Sequence, residues 1–292
     1  MDEFETYRPL LFGIAYRMLA SASEAEDIVQ EAYLRYHAAP AGEIRTLKAY
    51  LTTIVTHLCL DHLKSARVQR EQYVGPWLPE PLITTDAGLT PLQTLEQQES
   101  IALAFLVLLE CLTPQERAVF LLHDVFDYTT PEIAEVLGKS AANCRQIVHR
   151  ARERLAERRR RFAPAPVVHR RLTEQFLVAC TQGDVAGLTT LLAQDVTTWS
   201  DGGGRVTAAR NLILGRENSI RFLIGVARKT PAAMRATLEE VNGVPAFLLW
   251  LGDALNLVGV LDIVDEQVQG IHFMLNPDKL AYIAAQVRAR GE

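Results

Sequence analysis

Apolar residues recur every three or four positions through the first seventy residues, with polar residues between them. This period predicts consecutive amphipathic helices, which we place over residues 5–19, 24–37 and 47–70. Pro40 and Gly42 mark the loop before the third helix, because both residue types interrupt regular structure. The pattern therefore predicts an all-α domain over residues 1–72.

The helical period is lost over residues 73–93. The stretch GPWLPEPL within it carries three prolines, which exclude a continuous helix and favour an extended strip. We interpret residues 73–93 as a linker. The large apolar side chains of Trp77 and Leu78 indicate that this linker docks on a surface.

A second helical domain is predicted over residues 94–163, and the sequence TPQE at residues 113–116 marks a helix start within it. Further along, a short helix over residues 131–137 ends at Gly138. Ser140 is suited to cap the helix that follows, because its hydroxyl can accept from a free backbone N–H. A short helix, a glycine turn and a basic helix in this order predict a DNA-binding helix-turn-helix.

The second helix of this motif divides into two faces. The apolar face carries Cys144, Ile147, Val148, Ala151 and Leu155. The opposite face presents forked hydrogen-bond donors and cations, which suit base edges and phosphates in a major groove. The residues of this second face are Asn143, Arg145, Gln146, His149, Arg150 and Arg152.

A different pattern begins at residue 164 and continues to residue 292. Helices are predicted over residues 169–182, 185–193 and 217–229, with a strand over residues 196–200 and a glycine turn at residues 202–204. Four antiparallel strands are then predicted over residues 233–241, 246–251, 254–264 and 268–275, with turns at residues 244–245, 252–253 and 265–266. Helices followed by a run of strands indicate an α+β domain.

Composition permits several ordinary cores, because the 292 residues are 49% hydrophobic. The net charge of −5 is unusual for a DNA-binding protein, but the cations are concentrated in residues 139–161 and at the end of the third helix. Four widely separated cysteines without a CxxC pair predict a reducing compartment and neither a zinc site nor disulfides. Without a signal peptide or a membrane-length apolar run, we expect a cytoplasmic protein with no membrane contact.

Two segments of the helical part resemble a known family. Residues 25–36, AEDIVQEAYLRY, resemble the region-two signature of the extracytoplasmic-function (ECF) sigma factors, and the helix-turn-helix resembles their region four. The resemblance covers residues 4–161 and implies binding to core RNA polymerase, at the clamp helices of the largest subunit and at the flap. It assigns clamp contacts to Asp27, Gln30, Glu31 and Arg35, and their spacing independently places these residues on one helix face.

The resemblance also assigns promoter contacts. The helix over residues 47–70 corresponds to the part that melts and reads the −10 element, where the family has an aromatic residue near the start and an Arg-Asn pair midway. Here Tyr50 keeps the aromatic residue, whereas Thr56 and His57 stand in place of the pair. The −10 contacts carried over are Tyr50, His57, Lys64, Arg67 and Arg70. The −35 contacts carried over are Asn143, Arg145, Gln146, His149 and Arg150.

The remainder of the chain resembles a SnoaL-like domain of the NTF2-like fold, in which helices close a bent sheet into a cone. The resemblance spans residues 167–276. Three strings mark the sigma-factor group that carries this extension, and they supply the predicted interdomain regulatory residues. These are Trp77, Leu78, Pro79, Glu80 and Pro81 of WLPEP, Asp201, Gly202, Gly203, Gly204 and Arg205 of DGGGR, and Asn276, Pro277, Asp278, Lys279 and Leu280 of NPDKL.

In that group a separate anti-sigma factor is typically absent and the fused domain regulates activity. We therefore expect a multidomain protein: two all-α sigma domains, a region-two helical bundle and a region-four helix-turn-helix, followed by an α+β cone. The hypothesis is that the extension packs between the two DNA-binding domains. It would then hold them in a compact form that is unable to straddle a promoter.

Two other functions remain open from the sequence. A one-component repressor or activator would combine the helix-turn-helix with a ligand-sensing NTF2-like domain. This function does not explain the polymerase-binding face around Asp27. An enzyme would need a base inside the cone. Asp201 and Asp253 stand beside glycines at turns, and His272 is alone on an apolar strand. We therefore expect no catalysis, cofactor or metal, and leave open an unidentified small apolar ligand.

Overall fold

The computed structural model describes residues 3–39, 44, 46–84, 101–156 and 166–291, and only the backbone of residues 66–71, 166 and 291. The described residues form two compact units. The first unit contains the described residues up to 72, residue 101 and residues 105–156; the second contains residues 73–84, 102–104 and 166–291. The predicted loop at residues 40–43, the helix start at residue 94 and the basic run at residues 157–161 lie outside the described residues.

The first unit begins with three helices that agree with the prediction within two residues at each end: α1 (Glu3–Leu19), α2 (Ala22–Ala38) and α3 (Leu47–Glu71). Ser21 caps α2, because its hydroxyl accepts from the backbone N–H of Glu24 at 3.3 Å. Apolar side chains on the facing sides of these helices, among them Phe4, Leu11, Val29 and Leu51, are completely buried. The predicted all-α packing of this segment is confirmed.

The helices that follow are α4 (Leu103–Leu109), α5 (Pro114–Asp124), α6 (Thr130–Leu137) and α7 (Ala141–Ala156). Thr113 forms a capping box with Glu116 at the start of α5. Gly138 ends α6 in the left-handed conformation, with φ of 62°, and Ser140 accepts from the N–H of Asn143 at 3.2 Å. The predicted helix-turn-helix is confirmed, because each residue expected at a helix end performs that role.

The second unit is an α+β fold, as predicted. Its helices are α8 (Pro166–Gln182), α9 (Val185–Leu191), α10 (Arg216–Ala227) and α11 (Pro277–Gly291), and its strands are β1 (Leu192–Asp201), β2 (Ile213–Leu214), β3 (Met234–Val241), β4 (Val244–Leu251), β5 (Ala254–Val264) and β6 (Gln267–Met274). The strand order is β2-β1-β6-β5-β4-β3. Strand β1 runs parallel to β6, and the other neighbours are antiparallel.

Two predicted boundaries in this unit are wrong. The turn between β3 and β4 lies at Asn242 and Gly243, with φ of 53° and 76°, so that Val244 and Pro245 begin β4. A tight hairpin turn needs positive φ at both central positions, which asparagine and glycine tolerate best. Strand β1 begins at Leu192, where a continuing helix was expected. The short edge strand β2 was not predicted, because two residues show no alternation.

The core of the second unit lies between one sheet face and the helices α8, α9 and α10. Phe176 of α8, Leu188 of α9 and Leu223 of α10 pack with Phe247 and Ile271 of the sheet. On the sheet, Gly259 leaves room for the ring of Phe247, because a side chain at residue 259 would overlap that ring. Helix α11 packs against β5. These elements position the residues that hold the linker.

Candidate polymerase, promoter and linker surfaces

The predicted polymerase-binding residues form one face of α2. Asp27, Gln30 and Arg35 are exposed and Glu31 is half-buried. The Arg35 side chain donates to Glu31 at 2.8 Å, one helical turn away. Leu34 on the same face is 55% exposed. Leu34 therefore places an apolar side chain among the charged residues of this face.

The predicted −35 contacts lie together on the outer face of α7. Each of the five is exposed: Asn143, Arg145, Gln146, His149 and Arg150. The opposite stripe, from Cys144 to Leu155, is buried. The helix therefore presents amide, guanidinium and imidazole groups on a single face, as base recognition in a major groove requires.

Two further arginines of α7 fasten the helix to α5. Arg152 binds Asp124 through contacts of 2.8 and 2.6 Å, and Arg154 binds Glu116 at 2.6 Å. Burial opposes ionisation of Asp124, but hydrogen bonds from Arg152 and His123 outweigh it and keep the pKa of this carboxyl below its ordinary value. Arg152, expected on the outward face, is exposed and paired.

The predicted −10 contacts on α3 are less uniform. Tyr50 is half-buried, and Lys64 is exposed beside Asp61 at 2.7 Å. His57 is exposed as well, yet its Nε2 donates to the carbonyl oxygen of Val136 in α6 at 2.8 Å. The side chains of Arg67 and Arg70 lie outside the described residues. The structure thus brings a predicted DNA contact against the helix-turn-helix.

The linker docks on the C-terminal domain around the buried carboxylate of Asp201. Tyr73 Oη donates to its Oδ1 at 2.6 Å, and the backbone N–H of Leu78 donates to its Oδ2 at 2.8 Å. The N–H of Gly203 adds a bond of 3.1 Å to Oδ1, and Lys279 Nζ adds one of 2.7 Å to Oδ2. Residues from WLPEP, DGGGR and NPDKL therefore meet at one carboxylate. This convergence satisfies a charge that would be costly to bury alone.

Lys279 binds the linker in two further ways. Its ammonium group lies 4.3 Å from the ring centre of Trp77 and 4.9 Å from that of Tyr73, within the range of cation–π attraction. It also donates to the carbonyl oxygen of Leu78. Burial, followed by the hydrogen bond to Asp201, raises the pKa of the Tyr73 phenol, which therefore remains a donor.

The remaining residues of the three strings support this arrangement. Asn276 Nδ2 donates to Tyr73 Oη at 3.0 Å, and Asn276 Oδ1 accepts from the N–H of Asp278 in the first turn of α11. Gly203 has φ of 57° and its Cα faces Asn276 so closely that a side chain there would overlap it. The other residues are placed as follows: Pro79, Glu80, Pro81, Gly202 and Leu280 are buried, Gly204 is exposed, Pro277 opens α11, and Arg205 pairs with Asp278 at 3.1 Å.

The far end of the described linker is bound by residues that the sequence analysis missed. Asn242 accepts from the N–H of Leu82 at 3.1 Å and donates its own N–H to the Leu82 carbonyl at 2.8 Å. Gln286 of α11 accepts from Ile83 at 3.0 Å. The pair Asn242 and Gly243 was a readable turn signal, but nothing in the sequence connects that turn with the linker.

Inside the C-terminal domain, aromatic rings pack against one another in the core. Phe247 lies 6.1 Å from Phe176 and 6.2 Å from Phe273 between ring centres. His272 is buried. The sequence suggested that it stands alone, but its Nε2 donates to Asp262 at 2.7 Å. Within the described ranges no group of three or more His, Cys, Asp or Glu side chains is placed to hold a metal ion. Asp253 is exposed.

Comparison with known proteins identifies the two helical regions. The family models for Sigma-70 region 2 and Sigma-70 region 4 match residues 4–68 and 102–155. The chain is 38% identical over 246 residues to the ECF RNA polymerase sigma factor SigJ of Mycobacterium tuberculosis, covering 83% of this chain and 78% of SigJ. It is 32% identical over 294 residues to the probable ECF RNA polymerase sigma factor SigI of the same organism, covering 97% and 96%.

A solved structure is similar over nearly the whole chain. The crystal structure of Mycobacterium tuberculosis SigJ matches with a TM-score of 0.77 and 32% identity, and the match covers 96% of this chain and 97% of that one. No helix in the described part of the chain is long and apolar enough to cross a membrane. The helical domains, the α+β domain and their order are thus those of a known sigma factor. The chain belongs to the extracytoplasmic-function family of RNA polymerase sigma factors.

Proposed function

We propose that this sigma factor binds core polymerase and promoter DNA through three helix faces, and that its C-terminal domain controls initiation by holding the linker. The observation that carries the proposal is the convergence of linker and C-terminal residues on Asp201, with bonds of 2.6 to 3.1 Å. Region 2 here denotes residues 4–68, and region 4 denotes residues 102–155.

The polymerase-binding surface in this proposal is the outer face of α2. Asp27, Gln30, Glu31 and Arg35 supply polar contacts to the clamp helices of the largest subunit, and exposed Leu34 supplies the apolar centre. A polar rim around one apolar anchor is the usual composition of a protein interface. Region 4 contacts the flap.

The promoter-binding surfaces are the outer faces of α7 and α3. Arg145, Gln146 and Arg150 read bases or phosphates of the −35 element from the exposed face of α7. On α3, Tyr50 and His57 contact the −10 element. The basic residues at its end, Lys64, Arg67 and Arg70, follow the phosphate backbone, which makes binding sensitive to salt.

Control by the C-terminal domain follows from what the linker must do. Regions 2 and 4 bind promoter elements that are separated along the DNA, so the chain between them has to move freely. While residues 73–84 are held on the C-terminal domain, the end of region 2 is tethered to that domain. We propose that release of Trp77 and Leu78 from Lys279 and Asp201 permits initiation, and that no separate anti-sigma factor is required.

The C-terminal domain acts in this proposal as a binding module and not as an enzyme. The rings of Phe176, Phe247 and Phe273 support this, because they pack together in the hydrophobic core of the domain. A small apolar ligand remains a prediction that depends on a rearrangement of these rings. The protein works in the cytoplasm, where polymerase and the chromosome are accessible to it.

The test is run-off transcription with purified core polymerase, on a promoter selected from random DNA by the reconstituted holoenzyme. We expect initiation that depends on both the protein and the core enzyme. Binding to DNA without affinity for core polymerase would contradict the proposal and favour a one-component repressor.

A further inference from the structure

We infer that the C-terminal domain carries a DNA-binding surface of its own, the outer face of α10, which binds phosphates beside the −35 element. The inference rests on the proposed role of α7 in reading that element. It gives a second activity to a domain that, in the proposed function, holds the linker. Four features of the domain support it: its charge distribution, the pairing of its cations, the composition of the α10 face and the chain that joins it to α7.

Positive charge is concentrated in the segment that leads into and through α10. Residues 205–229 contain six cations and a single acid, Glu217, although acidic residues outnumber basic ones by 35 to 30 in the whole chain. The cations are Arg205, Arg210, Arg216, Arg221, Arg228 and Lys229. A local excess of this kind gives a positive potential that attracts polyanions, whatever the net charge of the protein.

Most of these cations have no partner within the described residues. Four exposed side chains of the segment form neither a hydrogen bond nor an ion pair there: Arg210, Arg221, Arg228 and Lys229. On α8 of the same domain, by contrast, the exposed arginines are paired, Arg170 with Glu174 and Arg171 with Glu266. The cations on and around α10 are therefore available to an anionic partner.

The arginines of α10 lie on the side of the helix that points away from the core. Ile220 and Leu223 are buried against the domain, and the helical period places Arg221, Gly225 and Arg228 together on the opposite side. The two arginines are roughly 10 Å apart along the helix axis. A glycine within a helix costs stability, yet a side chain at Gly225 would meet nothing within 4 Å. Packing within the domain does not explain this glycine, whereas a flat centre lets a bulky phosphate backbone approach both arginines.

The composition of this face favours DNA over a protein partner. A protein interface usually has an apolar anchor at its centre. The exposed apolar side chains of the segment lie elsewhere, because Leu214 belongs to the edge strand β2 and Val226 is turned about 100° from Gly225. Phosphate contacts need only charge and hydrogen-bond donors, which guanidinium groups supply.

The chain keeps this domain close to the DNA that α7 reads. Helix α7 ends at Ala156 and α8 begins at Pro166. The chain between these two residues spans at most about 35 Å when extended, which is the length of roughly ten base pairs. Because the second contact is intramolecular, even a weak affinity of α10 for phosphates adds to the affinity of α7. Sequence specificity remains with α7, since phosphates carry no sequence information.

The experiment measures binding of the holoenzyme, reconstituted from core polymerase and the full chain, to its promoter duplex by fluorescence anisotropy at several salt concentrations. We expect Arg221→Gln combined with Arg228→Gln to remove two phosphate contacts. The slope of log K against log salt should then become shallower by about 1.8, and binding at about 0.1 M salt should weaken about sixtyfold. Glu217→Gln should strengthen binding, because Glu217 lies one turn before Arg221 and repels phosphates.

The matched control is Arg170→Gln combined with Arg171→Gln, which removes the same charge from the same domain at residues that are already paired. It should leave the affinity within about twofold, because exposed charges farther than about 10 Å from the DNA are largely screened. Equal effects of the two pairs of substitutions would overturn the inference. An unchanged salt slope for Arg221→Gln with Arg228→Gln would overturn it too.

A photo-crosslinking amino acid at Asn218, which is exposed one turn before Arg221, identifies the partner directly. We expect crosslinks to DNA in the complex of holoenzyme and promoter, and none from the same amino acid at Arg170. Crosslinks to polymerase instead of DNA would overturn the inference and identify an acidic protein surface as the partner. Arg145→Ala tests α7 separately, so failure of its proposed −35 role is distinguishable from failure of the α10 surface.

Discussion

Replacing Lys279 by methionine should release the linker without unfolding the C-terminal domain. Methionine keeps most of the aliphatic packing of lysine and removes its charge. In the native protein the Lys279 side chain is 13% exposed and that of Asp201 is 0% exposed, so the pair is shielded from solvent. Removal of one partner leaves a buried carboxylate without its counter-ion.

The expected magnitude follows from the contacts that remain. Breaking a buried ion pair by removing one partner costs about 3–5 kcal/mol. Asp201 keeps three donors, namely Tyr73 Oη and the N–H groups of Leu78 and Gly203, which places the cost at the lower end. A local opening that is about 3 kcal/mol easier exchanges its amide protons about a hundredfold faster.

The assay is hydrogen exchange followed by mass spectrometry on the linker peptide. The Leu78 amide reports directly, because it donates to Asp201. Peptides from β6 serve as the control and should keep their protection, which shows that the domain remains folded. Adding Asp201→Asn to Lys279→Met should restore part of the protection, since no uncompensated charge then remains. Exchange at Leu78 within twofold of the native rate would refute the reasoning.

Three other predictions test separate parts of the structure. Gly203→Ala should release the linker. Its control is Gly252→Ala, also at positive φ but with open space around it, which should cost only about 1 kcal/mol of backbone strain in thermal unfolding. Equal effects of the two changes would contradict the close approach of Gly203 to Asn276. Leu34→Ala should weaken core-polymerase binding about tenfold in fluorescence anisotropy with unchanged circular dichroism, and unchanged affinity would remove the apolar centre from the interface. Although burial opposes it, bonding to Arg152 holds the pKa of Asp124 below its ordinary 3.8. The ionised Asp124 therefore stabilises the folded protein above pH 3.8, and this stabilisation is lost as the pH falls through the lowered pKa. The thermal stability of Asp124→Asn should consequently depend less on pH below about 4 than that of the native protein.

Many helix boundaries of the helical part could be predicted from the sequence, because single residues mark these helix ends. Ser21, the TPQE start and Gly138 act locally, and local signals need no knowledge of the rest of the chain. The recognition face of α7 followed from the same helical period. His57 was read as a DNA contact, and its bond to Val136 was not foreseen, since the two residues belong to different helices.

The linker site shows where the sequence stops being informative. WLPEP, DGGGR and NPDKL were identified as a group through resemblance, and Trp77 was expected to dock. The sequence did not predict that Asp201 is the centre of the site, that Tyr73 binds it, or that Asn242 binds the far end of the linker. These contacts join residues more than a hundred positions apart. Hydrophobic period and turn signals contain no such pairing. The parallel pairing of β1 with β6 was not predicted from the sequence for the same reason.

The central claim is that the docked linker controls initiation. Its most direct test is run-off transcription with core polymerase and either the native protein or Lys279→Met, with hydrogen exchange measured on the same protein samples. The account predicts several-fold more transcript from the variant, accompanied by loss of protection at Leu78. A variant whose linker is released while its transcription equals that of the native protein would contradict control of initiation by the docked linker.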